Sequence, residues 1–438
     1  MKVFKLKKGG VHPPENKSLT EDKEIEIFRA PEKVYISMAQ HIGAPGEPIV
    51  KIGDEVKIGQ KIAGSGAFVS APIHSSISGK VIKIGTYPYP VNGEMKTIII
   101  ENNKKEEWIE LEGIKDYKSV DKKELLDIIR DKGVVGQGGA TFPTSIKLNP
   151  PKDKTIDTLL MNGAECEPYL NADNRMMLEK AEDMIEGIKI MLHILGIKKA
   201  IIGIEDNKLK AIQHIKELIK KEPMITVAIL KTQYPQGGEK QLIKAVLNRE
   251  VPSKALPAEV GVVVQNVATA NAVYDAIVKG IPLIERVLTV TGSAIKNPKN
   301  LLVRIGTRFE EILEYVGIDK EKMQKLVMGG PMMGIAQYTS EVPTLKGTSG
   351  ILALGKEELN RTETESCISC GKCITVCPMG LMPLMFAKLG RFEEWKEMER
   401  YNLMDCIECG SCSYICPANR PLTEAIKIGK AKLRNMKK

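Results

Sequence analysis

Two cysteine runs near the C-terminus carry the strongest chemical signal in this sequence. Cys367, Cys370, Cys373 and Cys377 precede Pro378, and Cys406, Cys409, Cys412 and Cys416 precede Pro417. Both read C-x2-C-x2-C-x3-C-P, a spacing in which the fourth cysteine of each run ligates the other run's iron–sulfur cluster. Gaps of two residues let successive thiolates meet the corners of one cubane, and the proline ends the turn and removes a donor. The spacing predicts two [4Fe–4S] clusters: one on Cys367, Cys370, Cys373 and Cys416, the other on Cys406, Cys409, Cys412 and Cys377. Tetrahedral zinc fits two three-plus-one runs less well. Disulfides need an oxidising compartment, and the opening MKVFKLKKGG has no apolar core of a secretory signal. Cys166, outside both runs, reads as a small buried hydrophobe.

A second constellation is GVVGQGGATFPTSIKL at 133–148. Gly136, Gly138 and Gly139 let the backbone pass close to a ligand, and a helix starting near Thr144 would aim N–H groups at an anion. Thr141 stands where a dinucleotide fingerprint needs its third glycine or alanine, and a helix precedes the loop rather than a strand. Taken alone, the loop is open to two readings, an anion cradle or a glycine-rich turn.

The elements that must position these groups follow from length and pattern. At 438 residues the chain has room for roughly three or four domains of about 100–200 residues, and 43% hydrophobic content supports sizeable cores. Residues 31–100 read as short β runs, Val34 to Ser37, Ile49 to Ile52, Lys61 to Ala63 and Val81 to Ile84, broken by glycine, proline and polar turns. GDEVKIGQKIA and APIHSSISGKVIKI look like the two halves of a lipoyl or biotinyl carrier sandwich, but the tip GSGAFVSAP has no modifiable lysine. A helix over Lys122 to Arg130 enters the glycine loop. Strands at Thr155 to Met161, Ala200 to Ile204, Thr226 to Leu230 and Gly261 to Gln265 then alternate with amphipathic helices, predicting a doubly wound, mostly parallel sheet. Ligands of such sheets bind beyond the carboxyl ends of strands. Residues 286–340 suit a small β-grasp module that connects and packs. The stretch MPLMFAKLGRFEEWKEMERYNL between the cysteine runs has helical spacing.

The expected organisation is therefore α/β and multidomain: a barrel-sandwich hybrid at 1–115, a Rossmann-like domain at 116–284, a β-grasp module at 285–345 and a helical iron–sulfur domain at 355–438. No apolar run approaches the ~18 residues that span a bilayer. Net charge is +9, aromatics are 5%, and basic residues mostly alternate with acids, which argues against nucleic acid as a partner. The acid-free tail Lys427, Lys430, Lys432, Arg434, Lys437 and Lys438 reads as a solvated helix face, or else as a contact for an acidic partner or lipid headgroups. The five histidines are scattered and build no cluster. Met328, Met332 and Met333 read as fillers of a packing gap.

Together with NGAECEPYLNADNR at 162–175, YPQGGEK at 234–240, NVATANAVYDAI at 266–277 and GGPMMG at 329–334, the glycine loop resembles the flavin-bearing NADH-binding subunit of complex I. GGVHPPENK at 9–17, the carrier-like sandwich and the two cysteine runs make the chain more similar to the RnfC family, a component of the Rnf complex, the membrane-bound ferredoxin:NAD oxidoreductase. This resemblance implies FMN against Gly136, Gly138, Gly139, Lys147, Asn162 and Asn266, with Thr269 nearby and Lys147 on the phosphate. It implies NAD(H) over the flavin, with Phe142 stacking on adenine and Glu165, Glu167 and Glu239 binding hydroxyls or the nicotinamide amide. Ala164 and Gly238 replace two acids of the complex I protein. The implied partners are the other Rnf subunits, at the cytoplasmic face of the membrane. A microcompartment cobalamin reductase and a relay scaffold without nucleotide are the rival readings.

Overall fold

The computed structural model describes residues 2–91, 93–359 and 363–436. Thr158–Gly163, Ala200–Glu205, Ile225–Leu230 and Val262–Asn266 form an all-parallel sheet. Their near-continuous apolar runs reflect burial on both faces, which parallel sheets require; Leu159, Leu160 and Met161 are fully buried. Val3–Phe4 adds an edge strand beside Ile225–Leu230.

The two sheets of the sandwich, one built on Lys33–Ser37, Gly79–Pro88 and Glu94–Asn102 and the other on Lys61–Gly64, enclose a core of Val34, Ile36, Ile62, Val81 and Ile98. The expected strand at Ile49 to Ile52 is displaced. The strand is Glu47–Pro48, because Asp54 Oδ2 accepts from Lys51 N at 2.8 Å and turns the chain there. The first thirty residues, expected in the sandwich, pair elsewhere. Besides Val3–Phe4, Ile25–Ile27 joins the mixed sheet of the β-grasp region beside Lys299–Arg304. That sheet extends to Gly350–Leu354, which pairs with Glu285–Thr291. The C-terminal module is helical, with Phe386, Met398, Leu403 and Ile426 at its centre.

Three modules meet at Lys346. Its buried Nζ donates to Pro72 O at 2.9 Å and Gly133 O at 2.6 Å, tying the sandwich to the foot of the glycine loop. Burial pulls this amine from 10.5 down to about 7. Between those two values the unfolded chain holds a proton that the folded chain has released, so the group's contribution to stability rises with pH across that window. Below it, the folded protein bears a buried charge. Relative to Lys346→Met, the wild type is expected to gain up to about 1.4 kcal/mol per pH unit between these limits, read from denaturation midpoints. A flat difference would mean that the amine stays protonated inside the fold.

Candidate functional site

The glycine loop closes on itself through Gly136 N to Phe142 O at 2.9 Å and Thr144 N to Val134 O at 3.1 Å. Gln137 is buried at its base while Gly138, Gly139 and Ala140 stand exposed at its tip. The N–H groups of those three residues find no acceptor among the described residues. Thr144 Oγ1, at the start of helix Thr144–Lys147, is buried without a partner. Free donors on an exposed glycine tip suit an anion such as the phosphate of a flavin nucleotide.

The neighbours converge on this loop. A Cβ on Gly138 would lie 3.1 Å from Asn266 Nδ2. Asn266 caps helix Val267–Val278 through Ala268 N at 2.8 Å and donates to Asp173 Oδ2 at 2.6 Å. Thr269 is fully buried, and its Oγ1 accepts from Gln137 N at 2.9 Å, so it holds the loop. Asn162, next to last in its strand, donates through Nδ2 to Gly237 O at 2.8 Å. Lys147 and Glu239 form an ion pair at 2.8 Å. Glu165 accepts from Asp173 N at 2.7 Å and Asn174 N at 3.1 Å, capping helix Ala172–Glu179. Glu167 accepts from Met332 N at 3.0 Å and Met333 N at 2.8 Å, and burial raises its carboxyl to about 7. The 329–334 turn therefore offers backbone donors. Met333 is exposed, so it fills no packing gap.

The two departures have local explanations. Ala164 is buried, and its carbonyl accepts from Lys208 Nζ at 2.7 Å. A side chain on Gly238 would meet Gln241 Oε1 at 2.6 Å, and the amide of Gln241 reaches Met379 Sδ in the helical module at 2.9 Å.

In that module Cys377 lines one pocket together with Cys406, Cys409 and Cys412, walled by Phe386 and Ile426. Cys377, Cys409 and Cys412 are buried. Burial pushes the Cys406 thiol up to about 12 and that of Cys412 up to about 11, so deprotonation there needs positive charge of the kind iron supplies. The sulfurs accept local hydrogen bonds, Leu381 N to Cys377 Sγ at 3.3 Å and Glu408 N to Cys406 Sγ at 3.4 Å. On the other side Cys373 neighbours Cys416, while Cys367 and Cys370 are exposed. The thiol chemistry of both runs suits iron–sulfur clusters, and the pocket shared by Cys377, Cys406, Cys409 and Cys412 is where the structure brings four of these donors together.

Several supporting residues carry no signal in the sequence. Lys430, read as part of a solvated tail, is buried and donates to Cys406 O at 2.5 Å and Glu408 Oε1 at 2.7 Å. Lys427, Lys432 and Arg434 of helix Leu422–Met436 are exposed, and Lys437 and Lys438 lie outside the described residues. Lys17 Nζ donates to the carbonyls of Glu165, Glu167 and Leu170 at 2.5–3.0 Å, bracing the loop after Thr158–Gly163. Tyr234 OH donates to Cys409 O at 2.7 Å. A crevice lined by His12, Lys17, Cys166, Glu205 and Tyr234 opens beyond the carboxyl ends of Ala200–Glu205 and Ile225–Leu230.

A glycine cradle on a doubly wound sheet, joined to a helical module with two cubane-type cysteine sets, defines a flavin and iron–sulfur electron-transfer protein. Residues 129–275 match the Nuo51 FMN-binding domain, 5–105 the RnfC barrel sandwich hybrid domain, 287–336 the SLBB domain and 359–417 a 4Fe-4S dicluster domain. The chain is 51% identical over 434 residues to the RnfC component of the proton-translocating ferredoxin:NAD(+) oxidoreductase complex of Clostridium ljungdahlii, covering 99% of this chain and 95% of the relative. It is 44% identical to the counterpart in the Na(+)-translocating complex of Acetobacterium woodii, covering 97% of this chain and 96% of the relative. The chain belongs to the RnfC family. A chain of a solved NAD+-reducing [NiFe]-hydrogenase overlaps 72% of this chain and 61% of its own length, at a TM-score of 0.48 and 16% identity.

Proposed function

We propose that this chain is the NAD(H)-binding flavin and iron–sulfur subunit of an Rnf complex. It passes electrons between NAD(H), FMN, two [4Fe–4S] clusters and a ferredoxin-linked partner at the cytoplasmic face of the membrane, and other subunits translocate the ion. Among the described residues no helix is long and apolar enough to cross a membrane. When bound, FMN would supply the exchange of one hydride, an electron pair, with nicotinamide and of single electrons with the clusters. The residues of this chain bind and orient. The N–H groups at Gly138 and Gly139 and the ammonium of Lys147 hold the phosphate, Asn162 and Asn266 border the flavin, and Phe142 and Glu239 receive the nucleotide.

The observation that carries this reading is the 2.7 Å hydrogen bond from Tyr234 to Cys409 O. It seats the inner cysteine set against the flavin domain, leaving the exposed Cys367 and Cys370 outermost. The inner cluster is thus the one next to the flavin, and the outer one meets the partner.

Purified protein is expected to show a flavin spectrum that NADH bleaches. Protein replete in FMN and iron that oxidises no NADH with any one-electron acceptor would favour the relay scaffold. Glu239→Ala is expected to weaken NADH-driven ferricyanide reduction about ten- to a hundredfold in apparent affinity, the equivalent of about 1.5–3 kcal/mol for a charged hydrogen bond, while FMN stays bound. Phe142→Ala acts likewise, since base stacking contributes about 1–3 kcal/mol. Unchanged NADH affinity in both variants would move the nucleotide elsewhere.

A further inference from the structure

Arg286 lies on strand Glu285–Thr291, which leads into the SLBB match at 287–336, yet its guanidinium enters the flavin domain. Nη1 donates to Gln137 Oε1 at 2.6 Å, Nη2 to Gln137 O at 2.8 Å, and Nε to Thr348 O at 3.2 Å. Arg286 is 2% exposed and Gln137 5%. Gln137, set between Gly136 and Gly138, also donates through Nε2 to Ala268 O at 3.0 Å and through its own N–H to Thr269 Oγ1 at 2.9 Å. One residue at the base of the glycine loop is therefore fixed from two sides, by the start of helix Val267–Val278 and by a fork from another module.

Burying a guanidinium is costly unless it is paired and fully hydrogen-bonded. The opposite charges that act on it are those of Asp173 and Glu165, and Asp173 also holds Asn266. A module that served only to pack would place an apolar side chain at this position. We propose that Arg286 is a positioning residue of the flavin site: by holding Gln137 down, the SLBB module keeps the tip at Gly138 to Ala140 raised with its donors free for FMN. The inference rests on the flavin reading of this loop. Preorganisation of this kind strengthens binding by removing the cost of ordering the loop. The guanidinium also adds a buried positive charge behind the site, and such a charge favours the anionic reduced flavin.

The test uses full-length protein with intact clusters, freed of flavin and titrated with FMN. The dissociation constant comes from flavin fluorescence and the midpoint potential of the bound flavin from spectroelectrochemistry. Arg286→Gln is expected to weaken FMN binding about ten- to a hundredfold and to lower the flavin midpoint, with iron content unchanged. Arg286→Lys keeps the charge without the planar fork, so binding weakens while the midpoint stays near that of the wild type. Gln137→Ala removes the amide that the fork grips and weakens binding in the same way. Wild-type affinity and midpoint in Arg286→Gln would overturn the proposal. So would loss of flavin in step with loss of clusters and thermal stability, which would mark Arg286 as a structural joint between modules. Wild-type protein that takes up no FMN would refute the flavin reading itself, a separate failure.

Discussion

Cys377→Ser is expected to destroy the cluster built on the second cysteine run and to spare the one on the first, although Cys377 belongs to the first run. The pocket that receives Cys377 is shared with Cys406, Cys409 and Cys412, and burial leaves that set little access to a substitute ligand from water. A serine hydroxyl ionises far less readily than a thiol and is a poor match for iron, so the inner site loses its fourth anchor. Iron should fall from about eight per chain, two cubanes of four, towards about four. The remaining spectroscopic signal should be that of the Cys367, Cys370, Cys373 and Cys416 set, in which Cys367 and Cys370 are exposed. Cys416→Ser should do the reverse. Loss of the exposed cluster in Cys377→Ser, with the inner one retained, would refute the crossed arrangement.

The crossed set is expected from local information, three cysteines at fixed spacing and then a fourth whose proline turns the chain towards the other run, and the pocket that Cys377 shares with Cys406, Cys409 and Cys412 supports it. The parallel sheet was legible for a similar reason. Runs such as TLLM, AIIGI and VAIL are near-continuously apolar, the pattern of parallel strands covered on both faces, and the helical stretches between them favour strands over a buried helix. What escaped was every interaction that depends on one polar residue far away in sequence. Nothing near Arg286 marks it as a partner of Gln137, 149 residues earlier. Lys430 sits in a basic run indistinguishable from a solvated tail, and its burial follows from the packing of helix Leu422–Met436 over Cys406.

The GGVHPPENK segment illustrates the middle case. It was readable as a family signature but not as a mechanical part. Gly10 N donates to Val376 O at 2.9 Å, Val11 bridges to Tyr234, Tyr169 N donates to Glu15 O at 2.8 Å, and Lys17 braces the 164–170 loop. A Cβ on Gly9 would sit 2.5 Å from Val376 O and 2.7 Å from the Cys377 carbonyl carbon, which is why a glycine stands there. In nine residues the segment runs from the inner cysteine set to the loop after strand Thr158–Gly163, fixing the two redox modules against each other. Electron transfer gains from a fixed separation between its centres, and this strap supplies one.

Gly138→Val is expected to remove FMN and leave both clusters in place. The Cβ alone would stand 3.1 Å from Asn266 Nδ2 and 3.3 Å from its Cβ and Cγ. Asn266 has little freedom to withdraw, because its Oδ1 caps helix Val267–Val278 and its Nδ2 is held by Asp173. The branched side chain must therefore displace the cap or push the tip off its seat. Overpacking of this kind costs about 1–3 kcal/mol, and every N–H at the tip is re-aimed with it, so the flavin affinity should fall by roughly a hundredfold. Gly138→Ala, which asks the neighbour to yield only a few tenths of an ångström, should lose affinity by a smaller factor. The cysteine pocket is lined by no residue of this loop, so the ratio of flavin to iron in purified protein is the decisive measurement. A valine variant with unchanged flavin and iron would show that the loop serves something other than FMN, and the candidate site would then have to be rebuilt from Asn162 and Lys147 without it.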